Sequence, residues 1–476
     1  MSSILLISVI FSYFFLLFVI SYLTGRNDSN DTFFLGNRKS PWYIIAYGMI
    51  GTTLSGITFI SVPGWVASSQ FSYLQMVFGF FVGYFIIARI LLPLYYRLEL
   101  ISIYTYLKNR FGIVSYKTGS TLFLISRTVG ASFRLFLIAT VLQFAVFDAW
   151  NVPFFITVII TISLIWLYTY RSGIRTIIWT DTLQTTFMLL TVFIIAYTMM
   201  NKMDLNFSSL FSLINESSYS KTFFFDDWTD KKYFFKQFFS GVFMAIVMTG
   251  LDQDQMQKNL SCRNLEDAQK NMFVFSAILI FVDLIFLSLG ALLYIYSDTF
   301  NIIIPSNPDM LFPNIALNSA LPSYVGILFI IGIIAAAYSS ADSALTSLTT
   351  SFCIDILDFE RQNPMQQIKT RKYVHLLMSL TLLCVILIFN AINDQSVIKS
   401  LFTVAGYTYG PLLGLFSFGL FTNFKIRDKY VPVVALSSPV LCYILNCYIP
   451  FGFELLILNG AFTFIGLCVL INNQKT

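Results

Sequence analysis

The chain has 476 residues, of which 57% are hydrophobic and only 11% are charged, and its formal net charge is +5. A soluble domain carries about 25% charged residues, so this composition excludes a soluble protein. Apolar runs of about twenty residues recur along the chain, and each is long enough to cross a hydrocarbon core of roughly 30 Å. The basic residues follow the pattern of membrane orientation, so the net charge does not indicate nucleic-acid binding.

Thirteen membrane-spanning helices are predicted. The leading span covers about 4–23 and is predicted to be retained, because no basic residue precedes it and no small-residue cleavage site follows it. Ten spans, which we call core helices 1 to 10, are predicted at about 42–68, 72–96, 118–147, 152–170, 175–199, 234–252, 272–298, 323–357, 371–391 and 397–423. Two trailing spans follow at about 430–448 and 452–472.

The distribution of basic residues predicts the orientation. Loops on one side of the predicted topology hold most of the 29 lysines and arginines, among them Arg97, Lys108, Arg110 and Lys117 between core helices 2 and 3. Lysine and arginine are retained in cytoplasmic loops. The N-terminus is therefore predicted to lie outside and the C-terminus in the cytoplasm, with the chain in the inner membrane of a bacterium.

Core helix 1 is a weak continuous helix. Residues 48–64 contain four glycines, one proline and five hydroxyl side chains within seventeen residues. A helix opened at this point would free backbone carbonyls, which are tolerated in a membrane only where they face a cavity or an ion. The alternative is that these small residues allow close helix packing.

Core helix 8 carries polar residues on one face. Helical spacing places the following residues together: Ala336, Ser339, Ser340, Ser343 and Ser347. Asp342 lies beside them. Hydroxyl and carboxylate oxygens suit a hard monovalent cation, whereas the alternative reading is hydroxyl groups packing against neighbouring helices.

Three further spans carry charged residues whose partners are not evident. Asp181 in core helix 5 could pair with Arg171 or Arg175 of the preceding loop. Core helix 3 holds Arg127 and Arg134, seven residues apart and so on one face. These arginines could pair with Asp283 of core helix 7 or Asp342 of core helix 8, or they could bind an anionic substrate, since arginine suits carboxylates.

Core helix 6 is a second interrupted span, with Gly241 and Gly250 near its middle and its end. It follows core helix 1 by five spans. Interrupted helices at equivalent positions of two five-helix halves indicate an inverted repeat with a binding site at the membrane midplane. The domain prediction is a single transmembrane domain over 1–476, with repeats at 42–199 and 234–423, a leading helix at 4–23 and two trailing helices over 430–472.

Four motifs resemble the sodium:solute symporter family, which includes sodium–sugar, proline and sialic-acid transporters. They are GTTLSGITFISVPG in core helix 1, WTDTLQ in core helix 5, TGLDQDQMQKNL at the end of core helix 6 and SSADSAL in core helix 8. The resemblance covers nearly the whole chain. It implies an all-α integral membrane protein of about 13 transmembrane helices with the inverted five-helix repeat of the leucine transporter.

The resemblance also implies sodium sites. A main site between core helices 1 and 8 would use the carbonyls of Gly51, Leu54 and Ala336 and the hydroxyls of Ser339 and Ser340. Some members hold a second sodium, which in this chain would involve Asp181, Ser339, Asp342 and Ser343. Those members have serine or threonine where this chain has Asp342, so Asp342 either strengthens the second site or neutralises an arginine. One or two sodium ions are therefore expected.

The substrate contacts implied by the resemblance come from core helices 1, 2, 3, 6 and 10. The candidates are Thr53, Ser55, Thr58, Gln75, Arg127 and Arg134. An arginine of core helix 3 binds the substrate carboxylate in sialic-acid members, and Arg127 is the better motif match. A small polar solute is expected, such as sialic acid or a sugar, with the arginines favouring an anionic or zwitterionic one.

The predicted function is sodium-coupled import of this solute by alternating access, by a monomer whose partners are the solute and the lipid bilayer. The rival on the same fold is a proton-coupled symporter with Asp181 or Asp342 as proton carrier. An integral-membrane transferase would need a cluster of His, Asp or Cys, and none is evident, so the protein is predicted not to be an enzyme. The single histidine, His375, is predicted to be solvated at the interface.

Overall fold

The fold was analysed in a computed structural model, which describes residues 3–24, 29–170, 173–319, 321–357, 359, 362–392, 397–449 and 451–472. These residues form α-helices joined by short loops, and within them β-pairing is limited to two isolated bridges. The α-helices are Ser3–Thr24, Asn30–Leu35, Trp42–Ser69, Tyr73–Ile86, Leu92–Arg97, Thr105–Arg110, Ile113–Leu142, Phe154–Thr169, Ile174–Lys202, Phe207–Glu216, Phe234–Ala245, Gln253–Leu260, Leu265–Thr299, Leu311–Asn318, Ser323–Ser351, Pro364–Ile392, Val397–Thr408, Gly410–Phe421, Val431–Tyr448 and Leu455–Val469.

The predicted spans coincide with helices of this structure. Within the described part of the chain, ten helices are long and apolar enough to cross a membrane, and Phe234–Gly250 with Gln253–Leu260 forms one further, bent pair. The apolar helices Phe154–Thr169 and Leu455–Val469 are shorter. The all-helical prediction is confirmed, and the count of thirteen spans stays a prediction.

Core helices 1 and 8 lie at the centre of the bundle. In their most apolar stretches, 83% and 78% of the residues are buried, against 17% in the leading helix and 22% in the trailing helix after Asp428. Core helix 1 packs against core helices 5, 7 and 8. The polar residues of core helices 1 and 8 are therefore enclosed by protein, whereas the peripheral helices present apolar residues to lipid.

Core helix 1 is broken at Ser55, as its composition predicts. Ser55 has φ 48° and ψ 176°, which is a left-handed, non-helical backbone conformation that costs free energy for a residue with a Cβ. Its hydroxyl accepts a hydrogen bond from the N–H of Ile57 at 3.3 Å, as an N-cap does for the helix that follows. A helix interrupted in this way lacks part of the regular backbone hydrogen bonding in the turn before the break.

Core helix 6 is broken near its C-terminal end. A turn of π-helix at Ile246–Gly250 is followed by a bend of 64° into Gln253–Leu260, which we call helix 6b. Asp252 caps helix 6b by accepting from the N–H of Asp254 at 2.9 Å. The break thus follows Gly250, as predicted.

Gly241 has a different role, because it serves close helix packing. A Cβ on Gly241 would lie 2.1 Å from the carbonyl oxygen of Met76 in core helix 2, and a Cβ on Gly79 would lie 2.1 Å from that of Phe238. These two glycines therefore let the backbones of core helices 2 and 6 touch, which is a common use of small residues in membranes.

The prediction for His375 was wrong. Its ring is only 1% exposed and hydrogen-bonds Thr169 and Thr349, each at 2.9 Å. The cause is the tertiary packing of core helix 9 against core helices 4 and 8, which the local sequence around His375 does not reveal.

Replacing Gly79 by alanine is expected to destabilise the protein, because the new methyl group meets backbone that cannot rotate away. Such overpacking costs about 1–3 kcal/mol, so thermal unfolding of the purified protein in detergent should shift downward. The control is Gly406→Ala, where the nearest atom to the new Cβ is 3.7 Å away. Equal melting temperatures for both variants would contradict the packing described for core helices 2 and 6.

Candidate functional site

A polar cleft lies beside the break in core helix 1. It has a cavity volume of about 70 Å³ and is lined by residues of core helices 1, 2, 3, 6 and 10, namely Thr53, Ser55, Ile57, Thr58, Tyr73, Phe80, Tyr84, Arg127, Arg134, Met244, Ala245, Met248, Thr249, Gln255, Leu401 and Phe402. Apolar walls with a few convergent polar groups are typical of small-molecule sites. The cleft brings together five of the six predicted substrate contacts.

Several polar atoms at this cleft are unsatisfied. Arg134 is 6% exposed, and its Nε and Nη1 have no hydrogen-bond partner among the described residues. The same holds, within that part of the chain, for Thr53 Oγ1 and Gln255 Oε1. Buried polar groups are nearly always hydrogen-bonded, so unpaired groups that converge on one cleft indicate a place for a polar ligand.

Arg127 is already neutralised. Its guanidinium donates to the carboxylate of Asp254, and Nη1 lies 3.8 Å from Oδ2 of Asp252. Tyr409 donates to Oδ2 of Asp252 at 2.5 Å. The predicted pairing of the core helix 3 arginines with Asp283 or Asp342 was wrong for Arg127, because the break in core helix 6 turns Asp252 and Asp254 toward it.

Gln75 is not among the residues that line the cleft, and it holds the loop before core helix 6. Its amide nitrogen donates to the carbonyl of Lys232 at 2.9 Å, and its amide oxygen accepts from the N–H of Phe224 at 3.1 Å. Both ends of the amide are therefore engaged by backbone. The structure gives Gln75 a role in fixing the loop before core helix 6.

The residues predicted for the main sodium site lie on core helices 1 and 8, which pack against each other. Gly51 and Leu54 precede the break at Ser55, and Ser339 and Ser340 are fully buried. The hydroxyl of Ser340 donates to the carbonyl of Ala337 in its own helix at 3.0 Å, which leaves the oxygen lone pairs available. Sodium is here a transported ion, and these oxygens are the type of ligand it takes.

A buried ion pair lies next to this site. Lys258 of helix 6b places Nζ 2.6 Å from Oδ2 of Asp181 and 2.5 Å from Oγ1 of Thr52. Ser339 donates to Oδ1 of Asp181 at 2.6 Å and lies 3.2 Å from Oγ1 of Thr52. We call these four residues the Asp181 cluster.

The predicted partners of Asp181 were Arg171 and Arg175. Arg171 lies outside the described residues, and the carboxylate is instead ion-paired with Lys258. Lys258 lies in the motif TGLDQDQMQKNL at the end of core helix 6. From the sequence alone it is predicted to be a basic residue of a cytoplasmic loop. Only the bend before helix 6b carries it into the protein interior.

Asp342 is not a member of either buried ion pair, Arg127 with Asp252 and Asp254 or Lys258 with Asp181. Its carboxylate accepts from the hydroxyl of Tyr168 at 3.0 Å and from the N–H of Ser343 at 2.6 Å. Ser343 Oγ has no hydrogen-bond partner within the described ranges. The alternative in which Asp342 neutralises an arginine is therefore wrong for Arg127, whose carboxylate partners are Asp252 and Asp254.

Comparison with known proteins supplies the context for this site. The chain is 26% identical over 442 residues to the sodium/sialic acid symporter NanT of Aliivibrio fischeri, covering 88% of this chain and 83% of the relative. It is 25% identical over 439 residues to the sodium/sialic acid symporter SiaT of Proteus mirabilis, covering 87% and 84%. The human sodium/iodide cotransporter is 23% identical over 409 residues, covering 83% of this chain and 62% of the relative.

Solved structures show the same fold. A substrate-bound, outward-open sodium-coupled sialic acid symporter superposes with a TM-score of 0.83 at 21% identity, covering 98% of this chain and 97% of that chain. The nucleobase-cation-symport-1 transporter Mhp1 in a closed conformation gives a TM-score of 0.59 at 15% identity, covering 92% and 93%. The predicted leucine-transporter-like fold is thereby confirmed.

The family model described as "Sodium:solute symporter family" matches residues 33–425. This match takes in all ten core helices, the cleft and the Asp181 cluster. The chain therefore belongs to the sodium:solute symporter family.

Proposed function

We propose that this protein imports a small, polar solute bearing a carboxylate, of the sialic acid class, together with sodium and by alternating access. The observation that carries the proposal is the unpartnered, buried guanidinium of Arg134 in the cleft beside the broken core helix 1. The two sodium/sialic acid symporters among the relatives support the same class of solute.

The charges of core helix 3 favour Arg134 over Arg127 as the solute ligand. Arg127 faces two carboxylates, Asp252 and Asp254, so a third carboxylate there would meet negative charge. Arg134 has unused donors at 6% exposure. Since an uncompensated buried cation is costly, an anionic group on the solute would stabilise it through charge-assisted hydrogen bonds.

The neutral part of the solute would contact the remaining polar groups of the cleft. Thr53, Ser55 and Thr58 come from either side of the helix break, and Gln255 comes from helix 6b. Hydroxyl and amide side chains suit a solute rich in hydroxyl groups, while Tyr73 and Phe402 provide apolar walls. Gln75 is not part of this proposal.

Sodium is proposed to bind between core helices 1 and 8. Its ligands would be the carbonyls of Gly51, Leu54 and Ala336 with the hydroxyls of Ser339 and Ser340. The freed carbonyls need a partner, and a cation there would hold the two central helices together while the solute binds. Rocking of the helix bundle would then expose both to the other side.

The membrane orientation, the oligomeric state and the type of activity also belong to the proposed function. The lysines and arginines of the loops favour an N-terminus outside and a cytoplasmic C-terminus in a bacterial inner membrane. The protein is proposed to work as a monomer and as a transporter without a catalytic reaction.

Arg134→Gln is expected to weaken binding of N-acetylneuraminate by about 10- to 150-fold, because hydrogen bonds to charged groups contribute about 1.5–3 kcal/mol. Isothermal titration of purified protein in sodium measures the affinity. Arg89→Gln is the matched control, since Arg89 is exposed and lies over the rings of Phe85 and Phe273. Unchanged affinity in Arg134→Gln would contradict the assignment.

The same experiment on Arg127→Gln should separate the two arginines. This change leaves Asp252 and Asp254 buried without their cation, which costs about 3–5 kcal/mol, so its main effect should be a lower unfolding temperature. A normally stable Arg127→Gln protein that has lost solute binding would instead identify Arg127 as the solute ligand.

Ser340→Ala is expected to lower sodium affinity by about tenfold, the equivalent of 1.4 kcal/mol, with little effect on folding. The serine hydroxyl bonds only within its own helix, to Ala337. Ser347→Ala serves as the control, since its hydroxyl makes the same kind of bond to Ala344 at 2.9 Å. Sodium titrations of thermal stability report the affinity, and identical titration curves would exclude Ser340 as a ligand.

A further inference from the structure

The Asp181 cluster holds a positive charge that belongs to the chain itself. Lys258 reaches it from helix 6b, and its side chain is only 2% exposed, against 1% for Asp181. The cluster joins core helix 1 through Thr52, core helix 5 through Asp181, core helix 8 through Ser339 and helix 6b through Lys258. A buried lysine is tolerated because it is ion-paired and hydrogen-bonded.

The oxygen atoms around Lys258 are those that a sodium ion would use. One carboxylate oxygen and one hydroxyl lie 2.6 Å and 2.5 Å from Nζ, and the hydroxyl of Ser339 contacts both of these groups. Carboxylate and hydroxyl oxygens are preferred by hard monovalent cations. An ammonium group carries the same charge, so it satisfies the same ligands.

A second cation would be repelled from this position. Two unit positive charges about 4 Å apart repel each other more strongly inside a protein than in water, because the effective dielectric constant is lower there. This repulsion is large enough to prevent a sodium ion from sharing Asp181 with Lys258. Sodium could enter only if the lysine left the carboxylate, which breaks a buried pair.

We propose that the ammonium group of Lys258 is a built-in cation that takes the place of a second sodium ion at Asp181, so that one sodium accompanies each solute. The inference rests on the proposed sodium symport and specifies its stoichiometry. It changes the role expected for Asp181 and Ser343, which are then not sodium ligands. The main site between core helices 1 and 8, with the proposed ligands Gly51, Leu54, Ala336, Ser339 and Ser340, is then the one sodium site.

Asp342 fits this arrangement. It lies three residues after Ser339 on core helix 8 and interacts electrostatically with both Asp181 and Lys258. The local charge therefore consists of two carboxylates and one lysine. A second sodium bound by Asp342 and Ser343 is the competing arrangement, and counting the bound ions distinguishes the two.

The test counts radioactive sodium ions bound per protein at saturation, on the purified full chain and without any solute. The wild type is expected to bind one ion. Lys258→Ala removes the ammonium group and opens space beside Asp181, so it should bind two. Lys258→Arg, which keeps the charge, and Lys270→Ala, which removes an exposed lysine paired with Glu266, should both bind one.

Two bound ions in the wild type would overturn the inference and leave sodium symport intact. An unchanged count of one in a folded Lys258→Ala protein would also overturn it. If Lys258→Ala does not fold, the sodium counts of the wild type and of Lys258→Arg still test the inference, because it requires both proteins to bind one ion. Failure of the wild type to bind sodium at all would overturn the proposed function as well.

Discussion

A helix broken inside a membrane leaves backbone groups that neither lipid nor water can satisfy, and core helix 1 is broken in this way at Ser55. Core helix 1 packs against core helix 8, and its residues Thr53, Ser55 and Thr58 line the cleft. The break is tolerated at the centre of the bundle, where core helices 1 and 8 are mostly buried. A sodium ion and a polar solute would each interact with polar groups at the break. The ion and the solute would therefore bind next to each other.

The positive charges around this centre fall into two groups. Arg127 and Lys258 are each ion-paired with carboxylates that the bend of core helix 6 and the start of core helix 5 bring to them. These pairs connect helices that lie far apart in the chain and fix their relative position, since breaking a buried pair is strongly destabilising. Arg134 forms no ion pair among the described residues and has two unused donors, so it is the arginine that we propose to bind an anion.

The fold and the helix breaks could be predicted from sequence because they depend on local composition: long apolar runs, glycines, hydroxyls and a proline. Five of the six substrate candidates, all but Gln75, line the cleft, and these candidates were implied by the family resemblance of the motifs. The partners of the charged residues could not be predicted. The pairing of Lys258 with Asp181 depends on the 64° bend in core helix 6. The pairing of Arg127 with Asp254 depends on the direction that Asp254 takes after the same bend. The burial of His375 likewise depends on packing between helices distant in sequence.

The central claim is that a sodium gradient drives solute entry, and transport by purified protein in liposomes tests it most directly. Uptake of radioactive N-acetylneuraminate should require an inward sodium gradient and should increase when the interior is negative, because each entering charge gains about 2.3 kcal/mol per 100 mV. Replacement of sodium by potassium or choline should abolish uptake. Uptake that is unchanged in choline, or that a proton gradient alone can drive, would contradict the account.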